Sequence, residues 1–252
     1  MKRVILLVML SVMWLFDFSE AQAETVSEKA ETKIVKQQLA IKKGQVFSIV
    51  APDTKAGGED AISEYYQRAF PLAESLGLQR HMSLKVGSTF VGNYHPSGFI
   101  FFSWPDQSSE NKLTNHAEWS EIKALRPLGW DELKIYSSMA KTDIDITFDS
   151  SKFYTLAVAW FNPDKPTDYL TYLDGIEETV ESIGGRFILK VHHPRFEAHA
   201  SPLINPGQIT LVEWDSPEGL KTLQQSDAFK QFSPYLTSGV TAFELHNIVP
   251  VG

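Results

Sequence analysis

The sequence contains no cysteine. That excludes disulfides, thiol catalysis, thiolate ligation of haem or metal, and a lipid anchor on cysteine. It also lacks a basic excess: Lys and Arg total 23 against 31 Asp and Glu, for a net charge of −8. A chain so charged has no footprint for the phosphate backbone of nucleic acid. No apolar run after Phe16 approaches the roughly 20 residues of a membrane span, so stable membrane insertion is not expected after a leader is removed. Gly57-Gly58 is not followed by Gly-Lys-Ser/Thr, so there is no phosphate loop. No Gly-x-Ser-x-Gly elbow occurs, which argues against a serine hydrolase of that type.

What is present begins with a leader. Met1-Lys2-Arg3 is positive, Val4 to Phe16 is almost wholly apolar, and Ala21-Gln22-Ala23 has the small-x-small pattern of a cleavage site. Residues 1–23 are therefore read as a signal peptide, and the protein is expected in the periplasm or secreted. The leader's Lys2, Arg3, Asp17 and Glu20 cancel, so the remainder keeps the −8. Residues 24–45 are polar and rich in Lys and Glu, and read as a flexible arm or short helix. Without disulfides the rest must be held by its core, which halves of about 100 residues can build. An aromatic content of 12% favours that.

The remaining chain is written twice. Glu74-Ser75-Leu76-Gly77 returns as Glu181-Ser182-Ile183-Gly184, an offset of 107 (181 − 74). Leu84-Lys85-Val86 returns as Leu189-Lys190-Val191, an offset of 105 (189 − 84), and Phe99–Trp104 as Ile209–Trp214, an offset of 110 (209 − 99). The predicted first repeat covers 46–140, a linker 141–152 and the second repeat 153–252. Within each, hydrophobic periodicity and turn residues give β-α-β-β-α-β, the split βαβ arrangement. Asp60 and Thr167 are candidate N-caps of the first helices, and Gly77 and Gly184-Gly185 their stops. Pro71 should kink or break the first of these helices near Phe70. A second helix is expected near Ala117–Ala124 in the first repeat, and over Gly219–Gln225 and Asp227–Tyr235 in the second.

The fold class is thus α+β: two ferredoxin-like repeats whose sheets can cover each other. This resembles the dimeric α+β barrel superfamily, duplicated in tandem within one chain. The second repeat is similar to a small uncharacterised domain family of that superfamily through Asn162-Pro163-Asp164, Tyr172, Gly184-Gly185-Arg186, Glu213-Trp214-Asp215-Ser216 and Ser226-Asp227-Ala228-Phe229. The first repeat departs from it: Gly77-Leu78-Gln79-Arg80 replaces the tight Gly-Gly-Arg, and Asn115-His116-Ala117-Glu118-Trp119 the Ser-Asp-Ala-Phe segment. The resemblance implies an intrachain barrel, as a monomeric pseudo-dimer or a homodimer. It further implies a small aromatic, lipophilic or carbonyl-bearing ligand in the lumen, bound or transformed without a cofactor.

Strand alternation then selects faces. Met82, Leu84 and Val86, Phe187, Leu189 and Val191, Leu133 and Ile135, and Phe243 and Leu245 are expected against the helices. The opposite parity places His81, Lys85, Lys134, Tyr136, Arg186, Lys190, His192, Glu244 and His246 around the lumen. In a ligand site His192 and His246 would be the acid/base pair, with Arg186, Lys190, Glu244, His81 and Tyr136 binding the ligand. The competing reading is of solvated strand ends and ordinary ion pairs. His192 and His193 are neighbours on a strand and point apart, so they make no metal site together. His192, His246 and Glu244 could share an ion only if their strands adjoin. Trp104 and Trp214 hold equivalent positions and read as core. Two rivals remain: a non-catalytic interaction protein that uses the sheet face, and a haem or metal binder. A lumen filled by Tyr154, Leu156, Trp160 and Phe99 would favour the interaction protein over a lumen site.

Overall fold

The computed structural model describes residues 34–251. The expected signal peptide, 1–23, and residues 24–33 of the expected polar arm lie outside them. Among the described residues no helix is long and apolar enough to cross a membrane.

The strands and helices, in chain order, are β1 (Lys36–Ile41), β2 (Val46–Thr54), α1 (Glu59–Ser75), β3 (Gln79–Val91), β4 (Gly98–Trp104), α2 (Gln107–Thr114), α3 (Trp119–Lys123), α4 (Arg126–Gly129) and β5 (Trp130–Met139). They continue with β6 (Ile144–Asp149), β7 (Phe153–Phe161), α5 (Asp168–Ser182), β8 (Gly185–His192), β9 (Arg195–His199), β10 (Gln208–Trp214), α6 (Glu218–Gln225), α7 (Asp227–Gly239) and β11 (Val240–Pro250).

Nine strands form one antiparallel sheet in the order β8-β10-β7-β11-β3-β4-β2-β5-β9. Each half contributes the same internal order: β3-β4-β2-β5 in the first, β8-β10-β7-β11 in the second. Strand β3 is long enough to serve both halves. Its start pairs with β4, and its end, from Leu84 to Val91, pairs with β11. In the second half the equivalent strand is broken at His193, which has φ 45°, and Pro194. Its first piece, β8, pairs with β10, and its second, β9, pairs with β5. The two ends of the strand order are thus consecutive in the chain, and the sheet closes on itself as a barrel.

The lumen is a solid core. Phe47 and Ile49 of β2, Phe99 and Phe101 of β4, and Tyr154, Leu156, Val158 and Trp160 of β7 are all buried there. Filling by Tyr154, Leu156, Trp160 and Phe99 is the outcome that favours an interaction protein over a ligand site in the lumen, and the expected lumen site is corrected accordingly. The helices cover the outer face. Tyr65, Ala69 and Ala73 recur every four residues along α1 and pack with Trp104, Trp119 and Leu133. Tyr169, Tyr172, Leu173, Ile176 and Val180 form the matching stripe on α5 and pack with Val212 and Trp214. Both first helices end where glycine permits a left-handed turn, at Gly77 (φ 93°) and Gly184 (φ 80°).

Several local expectations are corrected. Helix α1 runs unbroken through Pro71; the proline is exposed, so the carbonyl it leaves unpaired can be hydrated. Gly58, not Asp60, is its N-cap residue, and Thr167 caps α5 without a side-chain hydrogen bond. Part of the polar arm, Lys36–Ile41, is a strand, and it pairs with Ile144–Asp149 inside the expected linker. Alternation explains this ribbon: Leu39, Ile41, Ile146 and Phe148 are buried in the lumen core while their neighbours face out.

The ribbon is anchored at Asp149. Its carboxylate accepts from the Ser151 backbone N–H (2.8 Å) and hydroxyl (2.6 Å) and lies 3.2 Å from Lys36 Nζ. Chiefly through the Ser151 hydroxyl, these hold its pKa down at about 2, from an ordinary 3.8. A depressed carboxylate contributes stability that is present above the unfolded value and lost as pH falls through the folded one. The β1–β6 ribbon is therefore expected to loosen between about pH 4 and pH 2. Amide exchange at Val35 and Ser151 should accelerate across that window, and Asp149→Asn should abolish the pH dependence.

Candidate functional site

The predicted site residues do not converge as expected. The reason is a β-bulge in the second strand of each half, where one strand carries an extra residue. The register shifts at His81, where Arg80 faces Phe102 but Met82 faces Phe101. It shifts again at Ile188, where Phe187 faces Val212 but Leu189 faces Leu211. One inserted residue exchanges the faces of everything beyond it. Met82, Leu84, Val86, Leu189 and Val191 consequently lie in the lumen core, and only Phe187 meets the helices.

Lys190 is displaced with them. Its ammonium is 2.9 Å from Glu177 of α5 and 4.3 Å from the Phe187 ring centroid, on the helix side of the sheet. His192 shares that parity and is exposed. Its pKa is lowered, first by partial burial and then by nearby His193. Arg186 is exposed and pairs with Glu213 at 3.0 Å. His81 is half-buried, with Nε2 2.7 Å from Ser103 Oγ and its pKa lowered by burial.

The last strands keep the predicted parity. Lys134, Tyr136, Glu244 and His246 are all buried in the lumen, while Leu133 and Phe243 face the helices. Lys134 Nζ is 2.5 Å from Glu244 Oε1 and 3.2 Å from Glu132. It also lies 3.8 Å from the Tyr94 ring centroid and 5.3 Å from that of Trp160. His246 Nδ1 is 3.0 Å from Thr89 Oγ1, and its Nε2 is 3.7 Å from Glu244 Oε2. Burial and then the Glu244 charge push the Tyr136 phenol far up. The lumen thus holds one ion pair and its neighbours inside a packed core, without His192, Lys190 or Arg186. Among the described residues no group of three His, Asp or Glu is arranged to hold a metal ion.

An apolar cavity lies elsewhere, between the outer face of the first half's sheet and helices α1–α4. A cavity of about 130 Å³ is lined by Ser48, Val50, Tyr65, Tyr66, Ala69, Phe70, Ala73, Ile100, Phe102, Trp104, Leu113, Trp119, Arg126, Trp130, Leu133, Ile135 and Glu197, among others. Its origin is visible in the sequence. In the second half Ser226 caps a 13-residue helix by accepting from Phe229 N–H at 3.1 Å. That helix, α7, lays Phe232 over Gly175 so closely that a Cβ there would meet the ring at 2.3 Å. In the first half Asn115–Trp119 replaces the cap, and the chain forms two short pieces, α3 of 5 residues and α4 of 4. They leave unfilled the space that α7 occupies in the other half.

One end of this cavity is polar. Arg126 Nη1 donates to Glu197 Oε1 at 2.6 Å and Nη2 to the Tyr65 hydroxyl at 3.1 Å. Its guanidinium carbon lies 5.7 Å from the Tyr65 ring centroid and 5.6 Å from that of Trp119. Burial works against the Arg126 charge, but Tyr65 and Glu197 more than offset it and its pKa is raised. Burial likewise raises the Tyr65 phenol, with Arg126 opposing. Arg126, Tyr65, Trp119 and Glu197 were not among the sequence candidates. The available signals were the interrupted repeat at 115–119 and a single charge in Leu125-Arg126-Pro127-Leu128.

Among solved structures, an anthrone oxidase-like protein superimposes with a TM-score of 0.53 at 13% identity, over 85% of this chain and 95% of its own. The likeness extends across both halves. The two share an α+β fold. A chlorite dismutase variant from Candidatus Nitrospira defluvii gives a TM-score of 0.46 at 11% identity, over 83% of this chain and 93% of its own. No family profile and no curated protein matches the sequence. The cavity does not fit haem: no histidine lines it, and 130 Å³ accommodates a single ring rather than a porphyrin.

Proposed function

We propose that this protein binds a small aromatic or lipophilic molecule in the cavity beneath α1–α4, and that it does so as an exported protein whose two halves descend from one duplicated unit. The observation that carries the binding reading is the cavity itself, walled by Tyr66, Phe70, Phe102 and Trp104. Native interiors are close-packed, and a void of this size is otherwise a cost in lost contacts. A dry apolar cavity of about 150 Å³ takes up benzene, so this one suits a one-ring ligand. The filled lumen moves the ligand out of the barrel. A filled lumen is also the outcome that favours an interaction protein, which would have to use a surface other than the buried inner sheet face.

Toluene at 100 times its dissociation constant should stabilise the protein by about 2.7 kcal/mol, visible as a rise in melting temperature. Ala69→Leu places a larger side chain in the cavity wall and should erase that rise while leaving the fold intact by circular dichroism. An equal rise in the variant would remove the cavity as the binding site.

A further inference from the structure

Strand β9 is the least secured strand of the sheet. It has five residues, Arg195–His199, and among the described residues it is the one strand with no buried position. Its two ends are marked in the backbone. The non-glycine residues with positive φ among the described residues are His193, at 45°, and Ala200, at 62°, and they stand on either side of it. In that conformation the Cβ crowds the following carbonyl, so it persists only where the surroundings impose it. Ala200 is exposed and has no polar side chain to offset the cost. The chain beyond is fixed on both sides. The His193 backbone N–H donates to the Gly207 carbonyl at 2.8 Å, and Trp160 Nε1 donates to the Ile204 carbonyl at 2.7 Å. A short, shallow strand between two strained residues and two fixed points is a unit that can open without the rest of the sheet.

What β9 holds is the polar end of the cavity. Its register on β5 sets Glu197 opposite Ile135 and Arg195 opposite Ser137. Ile135 and Glu197 both line the cavity, so β9 extends the cavity floor by one strand. Alternation turns Phe196 the other way, with its ring centroid 5.3 Å from that of Tyr136 and 6.3 Å from that of Trp160. On the cavity side two ion pairs tie the strand to the helices. Arg195 reaches Glu110 of α2 at 2.5 Å, and Glu197 reaches Arg126 of α4 at 2.6 Å. Glu110 and Arg126 are wall residues, and Arg195 is not. Arg195 is 48% exposed and clasps Glu110 from outside, and a contact so open to water is weak enough to break and remake.

Resting on the proposed binding role, we infer that β9 is a strap that gates the cavity. It leaves β5 as a unit, turning about His193 and Ala200, and the ligand passes between α2 and the freed edge of β5. The strain at Ala200 favours release, and the Arg195–Glu110 contact opposes it. The strap sets how fast a ligand enters and leaves, and the apolar wall sets how tightly it is held.

Amide exchange on the full chain without ligand tests the opening alone. The β9 amides should exchange at least about tenfold faster than those of the β2–β5 ladder, as a locally opening unit does. NMR exchange spectroscopy with toluene then tests the gate. Arg195→Gln removes the charge of the latch and Ala200→Gly removes the strain, and both positions are exposed, so the fold is kept. Arg195→Gln should speed toluene entry and exit alike by several-fold, and Ala200→Gly should slow both. The dissociation constant should stay within about twofold in each, because the closed state remains the dominant one. Rates unmoved by both variants, or β9 amides that exchange only together with the β2–β5 ladder, overturn the strap and leave the binding role standing. A changed dissociation constant with an unchanged rate of entry makes Arg195 part of the binding wall and overturns the strap as well. Absence of toluene binding to the native protein overturns the binding role, and the gate falls with it whatever the β9 amides do.

Discussion

Replacing Glu244 by leucine is expected to cost about 3–5 kcal/mol, nearer the lower figure, because it strands a buried ammonium. Lys134 is 1% exposed, and its contact with Glu244 is its shortest to a carboxylate. Glu132 remains at 3.2 Å and is itself 23% exposed, so part of the charge stays compensated. The faces of Tyr94 and Trp160 supply the rest of what support there is. The pair also joins the two halves, since Lys134 is on β5 and Glu244 on β11. The double variant Lys134→Met with Glu244→Leu removes both charges and leaves two apolar side chains of similar size. Buried pairs replaced in that way are often neutral or stabilising. The double variant should therefore recover most of what the single one loses. Urea unfolding of the four proteins in a cycle gives the coupling directly. A loss below about 1 kcal/mol for Glu244→Leu would mean that water reaches Lys134 and that the lumen is less dry than its packing implies.

The second large effect is expected at Trp214. Its side chain is 2% exposed, and its Nε1 donates to Thr155 Oγ1 at 3.0 Å. The ring lies against the backbone at Gly185 and Gly219, where a Cβ would come within 2.8 Å of it. Little around it can move inward, so Trp214→Ala should cost about 3–5 kcal/mol through lost contacts and the cavity left behind. At roughly 2–4 °C per kcal/mol for a chain of this size, the melting temperature should fall by about 6–20 °C. The equivalent Trp104 already borders a void, so Trp104→Ala should cost about half as much. Equal losses at the two tryptophans would argue that the two halves are packed alike.

The difference between Trp104 and Trp214 shows how far the sequence could be read. The offsets between repeats, the glycine stops at Gly77 and Gly184, and the 3.6-residue stripes on α1 and α5 all follow from local chemistry. They were enough to predict an α+β barrel made by one chain. The parity of β5 and β11 was also legible, because Leu133–Tyr136 pairs with β2, and Phe243–His246 with β7, without a register shift and so with a period of two: Lys134, Tyr136, Glu244 and His246 are inside. The parity of β3 and β8 was not, because the bulges at His81 and Ile188 are set by the register against β4 and β10. A bulge depends on which residue faces which across the sheet, and no local pattern records it. That single effect removed Lys190 and His192 from the predicted site.

The ribbon of β1 and β6 was missed for a related reason. Each strand looks like polar tether, and only their pairing and burial against the lumen make Leu39, Ile41, Ile146 and Phe148 into core. The cavity was half-legible. The sequence marked 115–119 as the place where the first repeat departs from the second. That the departure opens a void depends on how far two short helices reach compared with one long one.

The sequence by itself determined the absence of disulfides, the acidic charge, the doubled β-α-β-β-α-β order and the amphipathic faces of the helices. These are properties of composition and of nearest neighbours along the chain. Only the tertiary structure decided that the lumen is filled, that the barrel closes through the break at His193, and that the apolar cavity lies under the first half's helices. Those outcomes turn on strand register and on the fit of packed volumes, which are fixed between residues far apart in sequence.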